Sequence, residues 1–314
     1  MPLWEKYHRP QTIDDALARL REHGGRARIL AGGTDLLLEM QQGHRPPVEA
    51  MVDVTAIPEM IEIRHDRQTG LIELGAAVTH TQIVKSDLIT RQATCLVESC
   101  GVIGGPQVRN VATLGGNVAH ALPAADGTTA LVVLDAEAEI AAPSGRSWRP
   151  ILSLFKGPGI STVDQTRELI TRFRFPAGTR GTGTAFKRIM RPQGIALPIL
   201  ACAVWVKVGE HVSGNGSGEA GADVVDDVRI CIGPVQPVPT RAREAEQALR
   251  GRSLQEALPD AVAAAQAEFS PRTSKHRATA EYRVEMIDVL LRRALPLAVR
   301  RARTGEAVPE GLGL

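Results

Sequence analysis

Two glycine-containing segments constrain what this 314-residue chain can fold into. The first, residues 29–37, reads ILAGGTDLL, and the second, residues 109–127, reads RNVATLGGNVAHALPAADG. In the first, a short apolar strand runs directly into Gly32 and Gly33. Glycine allows tight turns and lets backbone N–H groups approach a bound anion closely. Two such turns in one half of the chain predict one shared ligand, and a pyrophosphate suits them.

Neither segment is a common nucleotide motif. A P-loop requires GxxxxGK[ST], and a dinucleotide fingerprint requires three glycines at fixed spacing where a helix opens. Taken alone, each segment is more often only a turn between a strand and a helix. The hydroxyl of Thr34 in the first segment, and Thr113 and Asn117 in the second, add polar groups beside the glycines and favour ligand binding.

Composition excludes some partners. The 37 basic and 35 acidic side chains leave a net charge of +2, and only 3% of residues are aromatic. A polyanion would find neither a strong field nor many stacking platforms, so nucleic acid is not expected. Few aromatics also mean that a bound ring would lie between aliphatic side chains and glycine backbone.

The four cysteines are scattered, and the chain contains no CxxC. They are expected to be buried thiols in a reducing compartment rather than ligands of an iron–sulfur cluster. No signal peptide is visible, and the uncharged runs are shorter than the roughly 20 residues that span a bilayer. The sequence therefore predicts a cytoplasmic chain without a membrane span.

Periodicity and punctuation predict two domains, residues 1–177 and 178–314. The first opens with a helix over 12–24 capped by Thr12, continues in a β-rich stretch to about residue 75, and has a helical stretch over 79–100 with Thr81 and Ser86 as candidate caps. Strands are predicted at 131–134, 136–141 and 169–175. The second domain is predicted as three strands followed by helices; the strands are 184–189, 197–208 and 224–232, the helices 242–249, 254–269 and 278–303, and the longest loop 213–221.

With these motifs in place, a family resemblance becomes specific. AGGTDLL and IGGPQVRNVATLGGNVAHALPAADG resemble the two FAD-binding loops of the flavoprotein subunit of molybdenum hydroxylases, the xanthine dehydrogenase and carbon monoxide dehydrogenase family. The opening WEKYHRPQTIDDALARL and the late RATAEYRVEMIDVLLRRAL also resemble that subunit. The resemblance implies an α+β fold: an FAD-binding PCMH or vanillyl-alcohol-oxidase-type domain in two α/β subdomains, then a small α+β domain of CO dehydrogenase flavoprotein type with a three-stranded sheet and helices.

The resemblance also implies which residues bind FAD. The first loop would hold the diphosphate and nearby sugar, the second would reach the cofactor from the other side, and four further positions would lie near the polar chain or the flavin. The implied cofactor-binding residues are Ile29, Leu30, Ala31, Gly32, Gly33, Thr34, Asp35, Leu36, Ile103, Thr113, Leu114, Gly115, Gly116, Asn117, Asp126, Ile170 and Lys187. No catalytic residue and no metal ligand is implied in this chain.

Several of these residues have a structural alternative. Asp126 is equally expected to cap a helix beginning near residue 127. Lys187, in an alternating strand, is usually a solvated face residue, and Ile103 and Ile170 are core residues by default. Outside the set, Arg109 is expected to be an exposed structural arginine at least as readily as a phosphate ligand, and His120 to be a satisfied loop histidine.

Some positions depart from the family pattern. An acidic residue is common after FKR in relatives, whereas residues 190–196 here read MRPQGIA, and Ser274 and Lys275 stand where an aspartate is frequent. The cysteine-rich insertion that holds a [4Fe–4S] cluster in 4-hydroxybenzoyl-CoA reductases is missing from the sequence.

The function implied by the resemblance is electron transfer within a heteromeric molybdenum hydroxylase. This chain would carry FAD, a small partner subunit the [2Fe–2S] clusters and a large one the molybdopterin cofactor, in a dimer of heterotrimers. NAD is the expected electron acceptor, with other acceptors open. Two alternatives are a stand-alone flavin oxidoreductase of the same domain type and a flavin-free assembly factor.

Overall fold

The computed structural model describes residues 2–191, 197–209 and 224–312. The helices are α1 Ile13–Glu22, α2 Leu36–Gln41, α3 His80–Val84, α4 Asp87–Gln92, α5 Thr94–Gly101, α6 Pro106–Arg109, α7 Leu114–Ala119, α8 Asp126–Val133, α9 Arg243–Leu249, α10 Leu254–Glu268 and α11 Ala280–Thr304. The strands are β1 Trp4–His8, β2 Ala27–Leu30, β3 Val48–Asp53, β4 Ile63–Asp66, β5 Leu71–Gly75, β6 Glu137–Ala142, β7 Gly145–Pro150, β8 Phe155–Gly157, β9 Ile160–Ser161, β10 Leu169–Pro176, β11 Thr182–Met190, β12 Pro198–Val208, β13 Val224–Gly233 and β14 Arg252–Ser253.

The first sheet is small and parallel, in the order β1-β3-β2. Helix α1 begins as predicted, because the Thr12 hydroxyl accepts a hydrogen bond from the Asp15 N–H, and it buries Ile13 and Leu20. The carboxyl end of β2 leads into the first glycine loop. Since β3 hydrogen-bonds β2 in register, the exit of β2 is fixed, and so is the position of that loop.

The second sheet has five antiparallel strands, in the order β4-β5-β10-β6-β7. Between β5 and β6 the chain forms the short helices α3 to α8, so the stretch predicted as helical is broken into α3, α4 and α5. Thr79 caps α3 in place of the predicted Thr81, whereas Ser86 caps α4 as predicted.

The strand predicted at 131–134 is wrong, because α8 occupies that position through residue 133. Every residue of α8 is buried, so its apolar run lacks the alternation between exposed and buried positions that separates a strand from a helix. A helix buried on all sides cannot be distinguished from a buried strand by sequence periodicity alone.

The third sheet, β11-β12-β13-β14, is antiparallel and adds the two-residue β14 to the three predicted strands. Helices α9 and α11 pack on one face, with α10 packed on those two helices, and α5 and α8 pack on the other face. Side chains of β12 alternate accordingly: Cys202 and Val204 lie in the core under α9 and α11, and Ala203 lies in the core shared with α5. The predicted loop 213–221 lies outside the described residues.

All four cysteines are buried and unpaired, as expected from the sequence. Burial raises the pKa of the Cys95 thiol to about 12. Within the described ranges, no helix is both long and apolar enough to cross a lipid bilayer.

A candidate cofactor site between the glycine loops

A cavity of about 690 Å³ opens where the ends of β2 and β11 meet the starts of β12, α7, α8 and β10. Its volume lies within the range of small-molecule and cofactor sites. Every residue that the resemblance implied as cofactor-binding lines this cavity, except Leu114 and Lys187. Segments far apart in sequence are thus brought to one site.

The first glycine loop supplies free backbone donors. In the part of the chain that the structure describes, the N–H groups of Gly32, Gly33, Thr34 and Asp35 have no hydrogen-bond acceptor. Gly33 has a φ of +69°, a left-handed conformation that glycine takes without strain. Helix α2 follows at once, and helix N-termini favour negative charge. This loop therefore has the donors that a diphosphate requires.

The second glycine loop has no such donors to offer at its centre. The N–H of Leu114 donates to Val78 O at 3.0 Å, and that of Gly115 to Ala76 O at 2.8 Å. The N–H of Gly116 donates to the Thr113 hydroxyl at 3.0 Å. The expectation of two opposed turns, both lined with free N–H groups, is wrong for this side because α7 and its neighbours already use these amides.

Close backbone contact holds the two loops together. A Cβ on Gly32 would lie 2.2 Å from Val111 O and 2.6 Å from the Cα of Ala112, so only glycine fits there. His120 adds a polar link, because its Nε2 lies 2.9 Å from Glu39 Oε1 on α2. His120 is therefore satisfied by protein partners, as expected from the sequence.

Asn117 is partly committed to the protein. Its Oδ1 accepts hydrogen bonds from the backbone N–H of Thr128 at 3.2 Å and from the Thr128 hydroxyl at 3.4 Å. It thereby serves the first turn of α8, whose own cap residue, Ala125, offers no side-chain acceptor. The amide NH₂ of Asn117 is left as the group that a ligand in the cavity can contact.

Asp126 and Arg188 form a buried ion pair on the cavity wall. Arg188 Nη1 lies 2.7 Å from Asp126 Oδ2, and both side chains are about 95% buried. Burial raises the pKa of Asp126 to about 6, against the opposing effect of Arg188. Asp126 is the first residue of α8 and binds Arg188 rather than capping the helix.

The other carboxylate oxygen, Asp126 Oδ1, is buried and has no hydrogen-bond partner among the described residues. A buried acceptor without a donor is costly, so this atom marks a place for a ligand hydroxyl or N–H. With the free amides of the first loop, the lining residues fit FAD: donors for a diphosphate, an acceptor for its polar chain, and aliphatic walls for its ring. The described part of the lining contains no phenylalanine, tyrosine or tryptophan.

Two of the implied residues lie off the cavity. Leu114 is fully buried in the core, and Lys187 pairs with Glu310 of the C-terminal segment at 2.7 Å. Neighbouring side chains of a strand point to opposite faces, which puts Arg188 and not Lys187 on the cavity wall. Only the two-residue period of β11 could have indicated Arg188 in advance.

Arg109 is buried rather than exposed, and its Nη1 donates to the backbone oxygens of Ile103 and Gly104. It braces the segment that carries Ile103, which lines the cavity together with Ile170. The sequence expectation of an exposed arginine is corrected, because these two carbonyl groups draw the guanidinium inward.

Comparison with known proteins agrees with this geometry. Residues 4–178 match the family described as FAD binding domain in molybdopterin dehydrogenase, and residues 184–298 match the CO dehydrogenase flavoprotein C-terminal domain. The xanthine dehydrogenase FAD-binding subunit of Escherichia coli O157:H7 is 31% identical over 304 residues, which cover 94% of this chain and 96% of that protein. The carbon monoxide dehydrogenase medium chain of Hydrogenophaga pseudoflava is 29% identical, covering 94% and 97% of the two chains.

Solved structures extend the likeness to the whole fold. A carbon monoxide dehydrogenase from Hydrogenophaga pseudoflava superposes with a TM-score of 0.85 at 29% identity, covering 96% of this chain and 99% of that chain. A Cu,Mo-CO dehydrogenase gives a TM-score of 0.84 at 31% identity, with the same coverage. The two-domain α+β architecture expected from the resemblance is confirmed. The chain therefore belongs to the family of FAD-binding flavoprotein subunits of the molybdenum hydroxylases, which are oxidoreductases.

Proposed function

We propose that this chain is the FAD-carrying, electron-transferring medium subunit of a heteromeric molybdenum hydroxylase. The observation that carries the proposal is the cavity between the loops, where free amides, an unpartnered carboxylate oxygen and aliphatic walls line one space. What FAD supplies when bound is redox chemistry that links the [2Fe–2S] clusters of a partner subunit to an external acceptor, NAD or another.

The first loop binds the diphosphate in this proposal. The amides of Gly32, Gly33 and Thr34 donate to its oxygens, and the Thr34 hydroxyl adds a side-chain donor. The glycines bring no side chain between backbone and ligand, so the diphosphate can approach closely. The second loop contributes the Thr113 to Asn117 wall of the cavity and the side-chain NH₂ of Asn117.

The Asp126–Arg188 pair orients the polar chain of the cofactor. Asp126 Oδ1 accepts a hydrogen bond from a hydroxyl of that chain, which supplies the partner that this buried atom lacks. Arg188 holds the carboxylate in place through Oδ2 and is itself fixed by Val102 O at 2.6 Å. A fixed acceptor loses little conformational entropy when the ligand binds.

Aliphatic side chains exclude water from the redox centre. Ile103 and Ile170 line the cavity from different elements, and their burial favours an apolar ring between them. We place the flavin there. Lys187 remains a candidate flavin neighbour only if it leaves Glu310 when the cofactor binds.

The partners in this proposal are a large molybdopterin-binding subunit and a small [2Fe–2S] subunit, in a dimer of heterotrimers. The family of this chain supports a multi-subunit assembly, and so do the names of the two relatives described above, an FAD-binding subunit and a medium chain. A cytoplasmic location and the domain boundary at residues 177 and 178 are also proposed.

The test is purification of the chain alone and within its complex. Alone, the chain is expected to be yellow, with about one FAD per chain and little turnover of any substrate. Added to flavin-depleted complex, it should restore electron delivery to NAD or another acceptor. A colourless chain that still assembles would contradict the proposal and favour an assembly factor, whereas rapid turnover by the chain alone would favour a stand-alone oxidoreductase.

A further inference from the structure

A second cavity, of about 450 Å³, lies at the junction of the two domains. It is lined by the ends of α4 and α11, by the 176–180 connection and by the middle of the third sheet. None of its described lining residues also lines the cofactor cavity. Four arginines line this junction cavity: Arg91, Arg180, Arg229 and Arg301. Glu306 is the one carboxylate among the described lining residues. The net charge of the whole chain is only +2, so this concentration of positive charge is local.

Arg229 is the central feature of the junction cavity. Its guanidinium carbon lies 3.8 Å from the ring centroid of Trp205, and its side chain is only 13% exposed. Stacking holds the planar guanidinium in place and leaves its N–H donors unused. Among the described residues it makes no hydrogen bond, and its single ionic partner, Asp135 at 3.7 Å, is 69% exposed.

A guanidinium carries five N–H donors, and burying them without acceptors is costly. A distant and solvated carboxylate offsets little of that cost. Burial accordingly lowers the pKa of Arg229. This side chain is therefore preorganised and still needs acceptors.

The remaining charges leave the cavity positive. Arg301 is compensated by Glu98 at 2.7 Å, and Glu306 is drawn toward Arg300 at 3.7 Å. Arg91 and Arg180 have no carboxylate within ion-pair distance in the part of the chain that the structure describes. Arg229, Arg91 and Arg180 are thus the charges that no buried carboxylate balances, and a cleft with low-dielectric walls focuses their field.

We propose that the junction cavity binds a small multivalent oxyanion, a metabolite that bears phosphate or several carboxylates, at a site separate from the cofactor. The Arg229 fork makes two parallel hydrogen bonds to one anionic group, which is the geometry that guanidinium favours with phosphate and carboxylate. Arg180 and Arg91 supply further charge for a second anionic group. Thr179 on the same wall offers a hydroxyl group. The Thr182 hydroxyl already donates to Thr179 O at 2.6 Å, and Thr184 Oγ1 accepts a hydrogen bond from the Cys95 N–H at 3.1 Å.

The site would couple the two domains, because its lining comes from both. A ligand that binds the folded chain stabilises it by mass action, and a ligand held by both domains resists their separation. Occupancy is therefore expected to raise the melting temperature without changing the flavin content.

The experiment is isothermal titration of the FAD-loaded full-length chain with inorganic pyrophosphate and, separately, with citrate. Loading with FAD fills the diphosphate site, so a signal from pyrophosphate reports the junction cavity. The variants are Arg229→Gln, Arg229→Lys and the exposed Arg180→Gln. The matched control is Arg292→Gln, which removes an equal charge from an exposed i,i+4 pair on α11.

Binding of either probe, weakened at least roughly tenfold by Arg229→Gln, is the expected result, since a charge-assisted fork is lost. Arg229→Lys should recover part of the affinity because it keeps the charge and loses the fork. Arg180→Gln should weaken binding a few fold, and the control should leave it unchanged. Preference for pyrophosphate or for citrate identifies phosphate or carboxylate as the group that is bound.

Two outcomes would overturn the proposal. One is that neither probe binds below about 10 mM, where a specific site would give a heat signal. The other is that Arg229→Gln and Arg292→Gln weaken binding equally, which would show only general charge attraction. Retained yellow colour in all variants separates this failure from a failure of the proposed flavin function.

Discussion

The two glycine loops share a sequence signature and differ in what their backbone does. In the first loop, the amides of residues 32–35 have no acceptor among the described residues, whereas the central amides of the second loop all donate to protein atoms. The two loops also differ in the backbone segments that their glycines approach closely. Gly32 lies against the backbone of Val111 and Ala112 in the second segment, and Gly115 lies against the backbone of Ala76 after β5.

The difference shows that paired glycines have two distinct physical uses. One is to expose backbone N–H groups to an anion, and the other is to let two backbone segments pack without a side chain between them. In this molecule the first loop has the free amides and the close contact that the two uses require, whereas the second loop shows only packing, which places the side chains of Thr113 and Asn117 at the cavity. The diphosphate is therefore expected on the first loop alone.

Gly32→Val tests this division most severely. Its Cβ would overlap Val111 O at 2.2 Å and displace the first loop from the second, so the amides would no longer face the cavity. We expect FAD affinity to fall at least about a hundredfold, corresponding to roughly 3 kcal/mol. The measurement is the flavin-to-protein ratio after gel filtration, with affinity from fluorescence titration.

The matched control is Gly157→Ala on β8, where the added Cβ meets only Ile160 at an ordinary 3.7 Å. It should keep its flavin. If Gly32→Val also retained one FAD per chain, contact between the loops would not be needed for binding.

Gly115→Ala should act mainly on stability. Its Cβ would lie 2.5 Å from Ala76 O, a backbone atom that cannot rotate away. Overpacking of this kind costs about 1–3 kcal/mol, which urea unfolding of the apo chain would measure. A normal free energy of unfolding combined with lost FAD binding would show instead that Gly115 contacts the cofactor directly.

The sequence could predict the loops but not this difference between them. Each glycine pair has a threonine close by, Thr34 after the first pair and Thr113 before the second. Only the registers of β2 with β3, and of the α7 segment with residues 76–78, decide which amides are free. These are long-range contacts, and local periodicity carries no information on them. Arg188 was missed for a related reason, because its partner Asp126 is 62 positions away.

Prediction succeeded where the signal is local. The cap at Thr12, the strand β10 and the long helix α11 follow from spacing within a few residues. It failed for α8, where uniform burial removes the periodic pattern that indicates a helix.

We expect Asp126 to make FAD binding depend on pH. The pKa of Asp126 in the chain is about 6, above the ordinary 3.9 or so of an unfolded chain, so the fold disfavours its ionised form. A ligand hydroxyl that donates to Oδ1 stabilises the ionised form and lowers this pKa. FAD affinity should thus be highest above pH 6 and fall as the pH drops toward 4. The total loss of affinity is about tenfold for each unit by which bound FAD lowers the pKa of Asp126.

Fluorescence titration between pH 4.5 and 7.5 measures this dependence. Asp126→Asn should flatten the profile, because an amide does not titrate in that range. Asp87→Asn, at the first turn of α4 and exposed, is the control and should leave the profile unchanged. An unaltered profile in Asp126→Asn would show that another group sets the pH dependence.

Asn117→Ala should give the smallest effect and distinguish the two uses of this side chain. Its Oδ1 serves the first turn of α8, so its loss should reduce the free energy of unfolding by about 1 kcal/mol, as for a lost helix cap. Asn117→Asp keeps the acceptor and removes the NH₂, so it should preserve stability and weaken FAD binding alone. The second loop would then contribute to binding through the NH₂ of Asn117 and to folding through the Oδ1 of the same side chain. Equal loss of affinity in both variants without any loss of stability would contradict the capping role.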